Sequence, residues 1–107
     1  MTYPRIKLEK LRSITVLDGE IELGLKSLMG CKSLETLNAT VTALGDECFD
    51  GCTSLKAVTL KDDITTIPAF AFNKCGSLES ITWPSGLTLI DVAAFQGCSK
   101  LKGEAYS

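Results

Sequence analysis

With 107 residues, 45% hydrophobic and 22% charged, the chain suits one continuous apolar interior; it is too short for two independent cores and too apolar for disorder. Its 11 basic and 13 acidic residues give a net charge of -2 with no local Lys/Arg cluster, which argues against nucleic acid as a partner. No apolar run approaches the roughly 18 residues of a membrane span, and residues 1–10 are too charged and interrupted for the apolar region of a signal peptide.

In chain order, Ile6 and Leu8 come first, an apolar pair suited to covering the exposed end of a stack. A period then takes over. Leu11, Leu34, Leu55, Leu78 and Leu101 are spaced by 23, 21, 23 and 23 residues. Cys31, Cys52, Cys75 and Cys98 keep the same 21, 23, 23 rhythm, each three residues before the next leucine. A period in this range marks a solenoid, whose units bury their apolar faces only against one another.

Within each unit the third residue after the leucine is Ile14, Leu37, Val58 or Ile81, and Val16, Leu60 and Trp83 stand two further on in the longer units. Such alternation of apolar and polar residues predicts a short half-buried strand. Ile21 and Leu23, Val41 and Leu44, Ile64 and Ile67, and Leu87 and Ile90 suit a second extended piece running into a bend. Next comes a column of Leu28, Phe49, Phe72 and Phe95, each three residues before its cysteine. Asp46, Asp91 and Pro68 suit the start of a short helical turn there, and Gly30, Gly51 and Gly97 suit a left-handed residue after it. The second unit is two residues short, and the loss is expected between Asn38 and Val41.

The run from Leu78 to Leu101, with Ile81, Trp83-Pro84, Leu87, Ile90, Ala94-Phe95 and Gly97-Cys98, resembles the BspA-like leucine-rich repeats. Ala71-Phe72 with Cys75, and Cys48-Phe49 with Gly51-Cys52, repeat the signature, whereas the first unit carries Ser27-Leu28 in place of a small residue and Phe. The resemblance covers roughly residues 11 to 101. The expected fold is an α/β leucine-rich repeat solenoid of about four stacked repeats, with a parallel strand face and short helical turns opposite it. As a single domain it divides into a cover (1–10), repeats at 11–33, 34–54, 55–77 and 78–100, and a partial repeat or closing turn at 101–107. The resemblance implies a surface or secreted protein of the adhesion or host-binding type, although this chain shows no signal peptide. Fold alone does not determine function.

Four of the five cysteines share one repeat position, so they read as buried free thiols acting as small hydrophobes. Stacked neighbours have near-parallel side chains, unsuited to a disulfide, and an odd count leaves one unpaired. With no histidine in the chain, neither a tetrahedral zinc site at Cys48 and Cys52 nor a Ser/His/Asp or Cys/His arrangement can be completed. Asp62 and Asp63 read as turn residues whose carboxylates bond nearby backbone. Trp83 reads as core. No enzyme activity and no cofactor is expected.

The outward strand positions form two columns, Ser13, Thr36, Ala57 and Ser80, and Thr15, Asn38, Thr59 and Thr82. They are the candidate binding face for a protein or glycan ligand, and the alternative is a solvated face on a structural spacer of a longer surface protein. Beside them Arg12, Glu35, Lys56, Glu79 and Lys102 alternate in sign, so that neighbours attract and a stack slipped by one unit brings like charges together. Incompletely covered ends would also permit end-to-end self-association.

Overall fold

The computed structural model describes residues 8–101. Ile6 of the expected N-terminal cover, and the closing segment from Lys102, lie outside the described residues; Leu8 begins a 3-10 turn, Leu8–Lys10. Each leucine then opens a segment whose alternating residues form a strand, and successive segments stack in parallel.

The main sheet has the order β1-β2-β3-β5, from β1 (Ser13–Leu23), β2 (Thr36–Leu44), β3 (Ala57–Leu60) and β5 (Ser80–Thr82). A second sheet pairs β4 (Thr66–Ile67) with β6 (Leu89–Ile90). In the first two segments one long strand runs through both extended positions. In the last two, turns at Asp62-Asp63 and Ser85-Gly86 break it into two pieces.

From Leu34 onward the core follows the predicted ladders, whereas Leu11 and Val16 of the first segment are only half-buried and stand outside it. Leu34, Leu55 and Leu78 are fully buried, as are Cys31, Cys52 and Cys75, and Leu101 and Cys98 are buried at the C-terminal end. Phe72 stacks between Phe49, with ring centroids 5.1 Å apart, and Phe95, at 5.2 Å, with interplanar angles of 12° and 3°. Trp83 is half-buried and meets Phe95 edge-on at 5.3 Å.

The helical turns expected opposite the strand face are not formed. Residues 25–30, 46–51, 69–74 and 92–97 are chains of tight turns. Their N–H groups alternate in direction. Cys48, Asp50 and Cys52 donate to Gly45, Glu47 and Phe49 within their own segment, while Glu47, Phe49 and Gly51 donate to Ala69, Ala71 and Asn73 of the next. An α-helix directs every N–H along its own axis to the residue four back. A neighbouring segment that takes every second N–H leaves no helix to propagate, so a cap or an N1 proline has nothing to start.

Two left-handed residues, four apart, turn the chain in each segment. One column is Lys26, Glu47, Phe70 and Ala93, with φ of 56°, 58°, 57° and 55°. The other is Gly30, Gly51, Lys74 and Gly97, with φ of 78°, 82°, 63° and 81°. The glycine column was legible in the sequence; the column without glycine was not.

Candidate functional site

The strand face is built by alternation. Ile14, Leu37, Val58 and Ile81 turn inward, and the residues on either side of each turn outward. All eight candidate residues, Ser13, Thr15, Thr36, Asn38, Ala57, Thr59, Ser80 and Thr82, are exposed.

Their register differs from the expected pair of unbroken columns. Ser13 pairs with Thr36 and Thr15 with Asn38, and Ala57 pairs with Ser80 and Thr59 with Thr82. Between these two pairs of strands, however, Thr59 faces Thr40, with Val41 against Leu60. Asn38 is therefore not the neighbour of Thr59. Leu37 and Val58 are three residues after their leucines, yet the next pairing sets four residues of β2 against two of β3, so Asn38-Ala39 bulges from the ladder. The loss expected between Asn38 and Val41 instead falls beyond Val41, where Cys52 follows after 11 positions against 15 from Leu60 to Cys75 and the Asp62-Asp63 turn of the third segment has no counterpart.

β1 is more irregular. Residues 16–19 loop out between Thr15 and Glu20 against Ala39 alone, which leaves Leu17 fully exposed at the tip.

At the β2 bulge the face holds a shallow open depression of about 290 Å³, lined by Glu35, Thr36, Leu37, Asn38, Lys56, Ala57 and Thr59. Lys56 Nζ lies 3.7 Å from Glu35 Oε1 at its edge. Lys56 N–H donates to the Glu35 carbonyl, as Glu35 does to Arg12 and Glu79 to Lys56, so backbone bonds hold the charged column in register. Much of the face is internally bonded: Asn38 Nδ2 donates to Thr15 Oγ1 at 3.2 Å and Thr82 Oγ1 to the Val58 carbonyl at 3.4 Å. The remaining hydroxyl groups repeat at strand spacing, about 4.8 Å, an arrangement suited to hydrogen bonding.

All five cysteines are buried and free. The Cys52, Cys75 and Cys98 thiols donate to the carbonyls of Leu28, Phe49 and Phe72 at 3.2, 3.2 and 3.0 Å. Burial pushes Cys48 and Cys52 up to about 12, and the hydrogen bond with Cys98, followed by burial, raises Cys75. Cys48, Cys52 and Cys75 are thereby poor nucleophiles and poor metal ligands. Among the described residues no group of three or more His, Cys, Asp or Glu side chains is placed to hold a metal ion.

Asp62 is a tie between turns. Its carboxylate accepts from the Ser85 hydroxyl at 2.6 Å and the Ser85 N–H at 2.9 Å, and these bonds hold it below its usual pKa. One further polar rung, unnoticed in the sequence, lies inside: Asn73 Nδ2 donates to Asp50 Oδ1 at 3.1 Å, both residues being buried. The signal for it was two small polar residues each directly after a phenylalanine of the aromatic column. No helix among the described residues is long and apolar enough to cross a membrane.

A family model described as a BspA type leucine rich repeat region matches residues 7–103, in 6 copies, where the leucine spacing marks four segments. No curated protein matches the chain. A leucine-rich repeat protein from Bacteroides ovatus is similar in structure, with a TM-score of 0.73 and 29% identity over 86% of this chain and 30% of that one. A leucine rich cell surface protein from Faecalibacterium prausnitzii aligns with a TM-score of 0.70 and 28% identity, over 81% of this chain and 24% of its own. The chain thus spans less than a third of the length of either.

Proposed function

The chain belongs to the BspA-type leucine-rich repeat family, and from that premise we propose that it is a non-enzymatic recognition module, binding a protein or glycan ligand across its strand face. The observation that carries this reading is the exposed face of small polar side chains, with its depression between Glu35, Asn38, Lys56 and Thr59 at the β2 bulge. Repeat folds of this kind use such extended surfaces for binding. On this reading the four segments are four repeats of one domain, and the protein acts at a cell surface, its Faecalibacterium neighbour being a leucine rich cell surface protein. Adhesion is the role this supports.

A second reading, a structural spacer within a longer surface protein, draws on the bonds that Asn38 and Thr82 already make within the face. It draws also on the absence from the eight-residue face of the aromatic and arginine anchors that dominate binding energies. The two readings separate on one experiment. The chain and a variant with Asn38, Thr59 and Thr82 replaced by Tyr are applied to immobilised extracellular-matrix proteins and to a glycan array. Binding lost in the variant, with thermal unfolding unchanged, supports recognition by this face; equal signals from both, or none from either, favour the spacer.

A further inference from the structure

The depression at the β2 bulge lies between inner strands. In the order β1-β2-β3-β5 it sits on β2 and β3, with β1 on one side and β5 on the other, so described residues flank it both ways. Two local departures from the repeat meet there. Ala57 stands in the column where the other segments carry Ser13, Thr36 and Ser80, and the bulge takes Asn38 out of line with Thr59. One column thus lacks a hydroxyl and the other a rung, and Leu37, otherwise buried, lines the hollow beneath them.

The groups around the hollow are polar and still have bonds to give. Glu35 and Lys56, both exposed and 3.7 Å apart, together carry no net charge. The Thr36 and Thr59 hydroxyls bond no described residue, and Asn38, which gives Nδ2 to Thr15, keeps Oδ1 as an acceptor. Glu35 therefore only accepts, Lys56 only donates, and the two threonines do both.

These features select among ligands. An anionic group finds the one lysine of the depression already beside a carboxylate. A peptide adds its main chain at a sheet edge, whereas β2 and β3 are inner strands. A folded protein surface is held by aromatic and arginine anchors, and the lining offers neither. A neutral ring bearing hydroxyls meets the whole set, because each hydroxyl both donates and accepts. One such oxygen bridges Lys56 Nζ and Glu35 Oε1 across their 3.7 Å with two charge-assisted bonds of about 2.8 Å each. The volume of about 290 Å³ stands at the small end of ligand sites, roughly 300–1,000 Å³, and suits a sugar ring better than a macromolecular surface.

We infer that the depression is a subsite for a neutral sugar ring of a glycan, an assignment that rests on recognition by the strand face. No aromatic ring lines it to stack on the sugar, so hydrogen bonds supply the contact and a single site binds weakly. Linking several copies of the chain raises the affinity by avidity.

The test displays the chain as a biotin–streptavidin tetramer. It is applied to an array of neutral, sialylated and sulfated oligosaccharides, and to immobilised extracellular-matrix proteins before and after enzymatic removal of their glycans. Neutral oligosaccharides should bind, and matrix proteins only while glycosylated. Ala57→Leu, which fills the depression without altering charge, and Glu35→Gln, which removes its acid, should each lower binding by about tenfold or more, the loss of a charged hydrogen bond. Glu79→Gln, one segment on in the charged column and outside the depression, should stay within about twofold of the parent. Each variant should keep the thermal midpoint. Neutral-glycan binding untouched by Ala57→Leu and Glu35→Gln, binding confined to sialylated or sulfated glycans, or equal binding to deglycosylated proteins would overturn the subsite while leaving recognition by the face in place. No binding to either panel would overturn both.

Discussion

The Cys75 thiol donates to the carbonyl of Phe49, 26 residues earlier, at 3.2 Å, and that same carbonyl accepts the Cys52 N–H at 3.0 Å. Both lone pairs of a buried oxygen are thereby used, one within a segment and one between segments. Cysteine suits this column because it is apolar enough for a closed interior and still brings a weak donor.

Removing that donor leaves both a small cavity and a partly satisfied carbonyl. Cys75→Ala is expected to lower stability by about 1–3 kcal/mol in urea unfolding. In the unsubstituted chain, labelling with a thiol reagent should be slow for all five cysteines until denaturant is added. Rapid labelling of most of them in the folded state would show that the ladder is not closed.

Phe72 has an aromatic neighbour on each side, so its loss empties the middle of the stack. Phe72→Ala should cost about 3–5 kcal/mol. A cost below about 1 kcal/mol, the level of a surface change, would contradict its burial.

Alkali should weaken the fold through two of its buried thiols. Unfolded thiols titrate near 9, whereas folded Cys48 and Cys52 titrate at about 12. Below pH 9 both states hold the proton and stability is insensitive to these groups. Between 9 and 12 only the unfolded chain releases it, so stability falls as pH rises, by about 1.4 kcal/mol per pH unit for each thiol. Cys48→Ala, which matches Ala71 and Ala94 at that position, should flatten the fall of the urea midpoint between pH 9 and 10. Identical slopes for the two proteins would refute the assignment.

Gly24 and Gly45 stand at one repeat position and should respond differently to alanine. A Cβ on Gly45 would lie 2.5 Å from Leu25 N and 2.8 Å from Gly24 O, backbone atoms that move only if two segments separate. A Cβ on Gly24 meets nothing within 4 Å. Thermal melts should show Gly45→Ala losing about 1–3 kcal/mol or more and Gly24→Ala within about 0.5 kcal/mol of the parent. Equal effects would argue against the close approach.

Lys74 occupies the left-handed column that glycine fills in the other three segments. Lys74→Gly relieves a conformation costing a side chain about 1–2 kcal/mol, less about 0.5–1 for the freedom glycine gains when unfolded. A net rise of about 0.5–1 kcal/mol is expected in the same melts.

The sequence by itself determined the columns. Leucine, cysteine and phenylalanine recur in one frame, and identical residues at one period stack only on one another, so the core, the free thiols and the outward strand residues could all be read from spacing. Tertiary structure decided whatever depends on a neighbour 21 to 23 residues away. Lys26, Glu47 and Phe70 look like ordinary helix positions, yet they are left-handed where the next segment takes every second N–H. The bulge at Asn38-Ala39, which puts Thr40 rather than Asn38 beside Thr59, is likewise invisible in the leucine ladder. Spacing measured along one segment fixes which residues share a column; the hydrogen bonds between segments choose the backbone path that joins the columns, and those bonds exist only once the segments are stacked.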